Sequence, residues 1–245
     1  LKSLGPGLPL RAGWRDTLAY VDATRCDLGG KPGTDALCRW LAEATALEVL
    51  VVAHCNINVL PVLGALGKNA ALAGGGRLRV VDASLNRCVD QDNTGCAQCK
   101  TFARRCASLE RLALAKCELP LAALDALLAG LNDRAADAVS AVASNKNAAA
   151  ETSSSSSRNP SRPTRPTGPP GDAAGHTPTA TSEERNPDVV ALSLYLADNA
   201  MEKKHGGVLF DRLTPQGPRK LTSPLRLLNL DRSYLGTLGL RDLFA

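Results

Sequence analysis

Apolar residues return along this chain in a fixed frame of eleven positions: apolar-x-x-apolar-x-apolar-x-x-Asn/Cys-x-apolar. The frame is filled at Leu18, Val21, Ala23, Cys26 and Leu28, and again at Leu47, Leu50, Val52, Cys55 and Ile57. Further copies run Leu78, Val81, Ala83, Asn86, Cys88 and Leu109, Leu112, Leu114, Cys117, Leu119. A late copy is Leu225, Leu228, Leu230, Ser233, Leu235, preceded by a weaker one at Val189, Leu192, Leu194 and Ala197. The alternation inside each frame predicts a short strand with one buried side, because successive side chains of a strand point to opposite faces. Behind the strands apolar residues recur at steps of three and four, as in Leu37, Leu41, Ala44, in Leu60, Leu63, Leu66, and in Leu121, Leu124, Leu128, Leu131. That period predicts a returning helix in each unit, with Thr34 or Asp35 capping the first and Pro61 accommodated in the first turn of the second.

The first four frames begin 29 to 31 residues apart. This motif at this period is the signature of the leucine-rich repeat, and the chain resembles that family from about Trp14 to Leu131 and, less closely, from Val189 to Leu235. The long helical returns resemble its ribonuclease-inhibitor-like subclass. The resemblance implies an α/β solenoid with parallel strands on a concave side and helices on a convex side. It also implies a curved protein-binding module, often part of a larger assembly. The expected departures from the family are the Ala residues at the inner Leu slot of the first and third copies, the long insert, and missing polar caps.

Three segments are expected: about four repeats over 14–140, a low-complexity disordered insert over 141–187, and about two repeats over 188–245, the last of them truncated. The insert runs from Ser153–Ser157 through Pro160, Pro163, Pro166, Pro169 and Pro170. Such a composition buries too little apolar area to offset the entropy of ordering. Leu109 and Val189 lie 80 residues apart, so the segment reads either as an insertion into the array or as the remnant of a lost repeat.

Composition narrows the functional classes. Aromatic residues are 3% of the chain, so the core must rest on Leu, Val and Ala. The formal charge of +5 comes without a lysine-arginine block that would follow a phosphate backbone, so no nucleic acid is expected as a partner. No apolar run is long enough for a membrane span. The sequence opens without the basic start and apolar run of a secretory signal and holds no glycosylation acceptor, Asn159 being followed by Pro160, so an intracellular, cytoplasmic protein is expected.

Eight cysteines raise the question of metal or disulfide chemistry, with Cys88, Cys96, Cys99 and Cys106 the best four zinc ligands by spacing. The frame offers another account. Cys26, Cys55 and Cys117 occupy the Asn/Cys slot, Cys88 the last apolar slot, and Cys96, Cys99 and Cys106 a helical stripe where a thiol acts as a compact apolar group. The three histidines, His54, His176 and His205, stand in no Ser/His/Asp or Cys/His setting. Gly74, Gly75 and Gly76 precede a strand and lack the Lys-Ser/Thr of a phosphate loop. No enzyme signature, cofactor or metal site is expected.

Function should therefore reside on the outward strand face. Stacking the frames gives four columns. The first is Tyr20, Val49, Val80, Arg111, Ala191, Leu227, and the second Asp22, Val51, Asp82, Ala113, Ser193, Asn229. The third is Thr24, Ala53, Ser84, Ala115, Tyr195, Asp231, and the fourth Arg25, His54, Leu85, Lys116, Leu196, Arg232. Val49, Val51 and Val80 form an apolar centre rimmed by Asp22, Asp82, Arg25, Arg111 and Lys116, with Tyr20 and Tyr195 as aromatic anchors. A surface of that kind suits a protein partner. The reading is a non-catalytic interaction scaffold; its rival is a GTPase regulator, as the leucine-rich-repeat GTPase activators are.

Overall fold

The computed structural model describes residues 14–74, 76–89, 94–154, 192–201, 203–213 and 225–233. Six strands alternate with helices: β1 Tyr20–Asp22, α1 Lys31–Leu41, β2 Val49–Val51, α2 Val59–Lys68, α3 Ala70–Gly74, β3 Val80–Asp82. There follow α4 Gly95–Arg105, β4 Arg111–Ala113, α5 Leu121–Ser154, β5 Leu192–Tyr195, α6 Lys203–Leu213 and β6 Leu225–Asn229. The strands form one sheet in chain order, and every neighbouring pair is parallel. The protein is thus an α/β structure. Two compact units divide the chain, Leu1–Asp137 with Val189–Ala245, and Ala138–Asp188. Of the second, the described residues are the last turns of α5.

The period-two alternation explains the sheet. Val21, Leu50, Val81, Leu112, Leu194 and Leu228 stand in register across the six strands. Leu50, Val81, Leu112 and Leu194 in that row are buried, and they pack in one apolar cluster with Leu41, Leu63, Leu66, Phe102, Leu124 and Leu128 from the helices. Each fully buried Leu contributes about 1.5–3 kcal/mol relative to exposure. Val21 and Leu228, on the two outermost strands, are only half-buried. In the fourth helical stripe Leu124, Leu128 and Leu131 are buried as the spacing predicts, but Leu121 is half-buried and Leu127 takes its place inside.

A buried polar spine runs beside the apolar row. Asn86 Oδ1 accepts the amides of Cys55 (2.9 Å) and Ile57 (3.3 Å), and its Nδ2 donates to the carbonyls of Val52 (2.8 Å) and Ala83 (3.0 Å). Cys55 and Cys117 fill the same slot with thiols that donate to Ala23 O (2.9 Å) and Ala83 O (3.3 Å). In the fifth unit the slot belongs to Asn199, whose Oδ1 accepts the amides of Cys117 and Leu119. Leu112 pairs with Leu194, so the fifth frame runs through Leu194, Leu196, Asn199 and Met201. The sequence reading through Val189, Leu192, Leu194 and Ala197 is therefore displaced by two residues.

Two helix ends differ from expectation. Helix α1 starts before Thr34 and Asp35, with Gly30 at its N-cap (φ 66°) and Pro32 in its first turn. A left-handed entry suits glycine, and proline's fixed φ suits the opening turn. Thr34 lies inside the helix, its hydroxyl donating to Gly30 O (2.9 Å) and accepting the amide of Asn58 (3.1 Å). Helix α5 continues to Ser154, so residues 141–154, read from composition as the start of a disordered insert, are helical. That stretch is rich in alanine and free of proline, which favours helix propagation. Residues 155–187, the rest of that insert, lie outside the described residues.

Candidate functional site

The outward strand face is built from two rows that the backbone register defines. The first is Tyr20, Val49, Val80, Arg111, Ser193 and Leu227; the second is Asp22, Val51, Asp82, Ala113, Tyr195 and Asn229. The two-residue displacement in the fifth unit moves Tyr195 from the third column to the second and puts Ser193 where Ala191 was expected. Ala191 itself lies outside the described residues.

Tyr20 is 57% exposed and Leu227 42% exposed, while Val49, Val51 and Val80 are half-buried. The guanidinium of Arg111 lies 4.8 Å from the ring centroid of Tyr195, a cation–π stack across neighbouring strands. Ala113, beside Tyr195 in the register, is buried. Half-buried Val49, Val51 and Val80 thus lie side by side on β2 and β3, with Tyr20 on β1 and Tyr195 on β5.

The acidic members of the second row carry a structural task that the sequence reading overlooked. Asp22 Oδ1 accepts the amide (2.8 Å) and hydroxyl (2.6 Å) of Thr24, bonds that hold its carboxyl below the ordinary aspartate range. Asp82 accepts the amide of Ser84 (3.0 Å), and Asn229 that of Asp231 (2.9 Å). Each closes an Asx turn at its strand's exit. The signal was legible in Asp22-Ala23-Thr24 and Asp82-Ala83-Ser84.

Arg25 and Lys116 lie beside this face, on the turns that leave the strands. Arg25 (φ 61°), His54 (φ 57°), Leu85 (φ 60°), Lys116 (φ 54°) and Asp198 (φ 55°) are all left-handed. Asp198, not Leu196, is the fifth member of that column. Their amides extend the parallel ladder by one rung: Arg25 N donates to Ala53 O (2.9 Å), His54 N to Ser84 O (2.9 Å), Leu85 N to Ala115 O (2.8 Å) and Lys116 N to Ala197 O (2.8 Å). A second row two residues further on holds Asp27, Asn56, Arg87 and Glu118, and between the rows lies a cavity of about 580 Å³.

The cysteines are free thiols; Cys55, Cys88, Cys99, Cys106 and Cys117 are buried and Cys26, Cys38 and Cys96 half-buried. Among the described residues no group of three or more His, Cys, Asp or Glu side chains is placed to hold a metal ion. Burial pushes the Cys106 thiol up to about 12, and burial with the nearby Asp35 charge pushes Cys38 to about 11. A hydrogen bond with Cys117, reinforced by burial, raises Cys88, and the same bond lowers Cys117. The raised values at Cys38, Cys88 and Cys106 are those of packed thiols held in the protonated form. Among the described residues, no helix is long and apolar enough to cross a membrane. No protein-family model matches the chain, and no curated protein matches it.

Proposed function

We propose that this chain is a leucine-rich repeat solenoid of the ribonuclease-inhibitor-like kind, and that it serves as a non-catalytic scaffold binding a protein partner through its strand face, within a larger assembly. The observation that carries the reading is the Arg111–Tyr195 stack on a sheet face that also exposes Tyr20 and Leu227. Aromatic and arginine side chains around apolar centres are the usual anchors of protein interfaces. The six parallel strands in chain order, each with its inner apolar residue in one row, support the repeat assignment.

Affinity capture from native cells with the full chain tests the function, run beside Tyr20→Ala and Arg111→Glu. Loss of the same partner from both variants, with thermal melts unchanged, supports the strand face as the docking surface. A partner retained by both variants overturns that assignment.

A further inference from the structure

The strand exits carry a second surface, whose side chains the fold does not dictate. Left-handed backbone at these turns is a requirement of the ladder, and glycine or asparagine meets it with least strain. The chain places Arg25, His54, Leu85 and Lys116 there instead. Side chains at strained backbone positions that packing does not explain point toward use. All four are solvent-exposed.

Their spacing is fixed by the sheet. Neighbouring strands lie about 4.8 Å apart, so Arg25 and Lys116, three strands apart, stand about 14 Å apart. Exposed Leu85 lies between them, and Arg87 rises from the second row on the same cavity. Arg25, Arg87 and Lys116 make no ion pair among the described residues, whereas Arg79, Lys100, Arg104 and Arg212 each have a carboxylate partner. Of the two carboxylates in the cavity, Asp27 is committed to the amide of Gly29 (2.9 Å) and to Asn56 Nδ2 (3.1 Å), which leaves exposed Glu118 alone against the three cations Arg25, Arg87 and Lys116. The groove therefore offers unpaired cations near its ends and an apolar side chain between them.

We propose that this strand-exit groove binds an extended acidic peptide segment, with carboxylates against Arg25 and Lys116 and an apolar residue against Leu85. An extended chain advances about 3.4 Å per residue, so carboxylates four residues apart match the 14 Å span, with residues at even steps facing the groove. The inference deepens the proposed function, resting on it for the kind of partner but placing contact on the exit turns and not on the strand face.

The probe is a fluorescein-labelled Glu-Ser-Leu-Ser-Glu peptide, with a Gln-Ser-Leu-Ser-Gln control, titrated into the full chain at low salt and read by fluorescence anisotropy. Saturable binding of the acidic peptide is expected, weakened at least tenfold for the Gln control and for the Arg25→Glu/Lys116→Glu variant. The Lys68→Glu/Arg105→Glu variant alters net charge equally on exposed helical positions and should bind as the parent does. Absence of binding, equal loss in both double variants, or displacement by single-stranded DNA at matched charge would overturn the proposal. The Tyr20→Ala and Arg111→Glu variants separate the two readings. Peptide binding that persists while partner capture ignores the face variants overturns the strand-face reading alone. Capture that depends on the face, with no peptide binding, overturns the groove alone.

Discussion

Asn199 stands to Cys117 as Asn86 stands to Cys55. In each pair the asparagine Oδ1 accepts the cysteine amide at 2.9 Å and the amide two residues later at 3.3 Å. Each Nδ2 also donates to the carbonyl three residues before its own asparagine, Ala83 or Leu196, and to one on the preceding strand unit, Val52 or Leu114. The units on either side of the long segment after β4 are therefore joined by the same polar device as the uninterrupted ones. Paired strands β3 and β4 are 31 residues apart at Val81 and Leu112, whereas β4 and β5 are 82 apart at Leu112 and Leu194. Lengthening a loop costs free energy only slowly.

Replacing either asparagine with alanine should be among the most destabilising single changes in the chain. The change strands two buried amides and the carbonyl of Val52 or Leu114, while Ala83 O keeps the Cys117 thiol and Leu196 O the Ser233 hydroxyl, and each unsatisfied group costs about 1–3 kcal/mol. We expect a loss of at least about 3 kcal/mol for Asn86→Ala and for Asn199→Ala, read from urea unfolding midpoints. Asn86→Cys should recover part of it, since Cys55 and Cys117 show that a thiol fits the slot. A loss below about 1 kcal/mol would show that water or backbone movement replaces the spine.

The strands and their inner row were legible because one face is buried, which forces apolar residues to alternate. The fifth unit shows where that signal gives out. Leu192, Leu194 and Leu196 alternate with period two, so sliding the frame by two residues still fills both inner slots with leucine. The last two slots tell the two frames apart, holding Ala197 and Asn199 in one and Asn199 and Met201 in the other. The groove was illegible for a different reason: Arg, Leu and Lys have no preference for left-handed backbone, so nothing in their identity announces the turns at Arg25, Leu85 and Lys116, and His54 alone is a weak signal. The role of Asn69 was missed too; its Nδ2 ties the carbonyls of Leu41 (2.7 Å) and Ala44 (2.6 Å) to the start of α3, a long-range pairing that no local pattern encodes.

Close helix packing makes Gly67 and Gly64 respond differently to the same substitution. A Cβ at Gly67 would stand 2.7 Å from Phe102 Cα and 2.8 Å from its amide nitrogen, so α2 and α4 must separate to admit it. At Gly64 the nearest atoms belong to the Gln98 carboxamide, which can rotate away, and its Cβ at 3.1 Å then has to give by only a few tenths of an ångström. Gly67→Ala should cost about 1–3 kcal/mol, the usual range for overpacking. Gly64→Ala should be near neutral, helix propensity offsetting the displacement of Gln98. Thermal melts of the two variants check the contrast, and an equal fall in both would place Gln98 as immovable packing.

Stability should decline at alkaline pH through the buried thiols. Cys106 and Cys38 have values raised to about 12 and about 11 in the folded state, from an ordinary value of 9.0 that the unfolded chain restores. Above pH 9 the unfolded chain releases thiol protons that the folded chain retains, so rising pH favours unfolding. The contribution of these thiols is fully present below pH 9 and is lost as pH climbs toward 11 to 12. Urea midpoints measured at pH 8 and pH 10.5 should fall for the parent and fall less for Cys38→Ala. An identical decline in that variant would assign the effect to other groups.

The strand face should be nearly separable from stability. Arg111 is exposed and its stack on Tyr195 is solvent-facing, so its removal costs only about 0.5–1 kcal/mol. Leu112, the next residue, is buried on the opposite side of the strand, and Leu112→Ala should cost about 2–5 kcal/mol. Adjacent residues on one strand are thereby assigned to different tasks by which way they point. Urea unfolding of Arg111→Ala and Leu112→Ala should show this several-fold difference. If Arg111→Ala loses more than about 2 kcal/mol, the stack supports the sheet itself, and loss of partner binding in Arg111 variants reports unfolding and not contact.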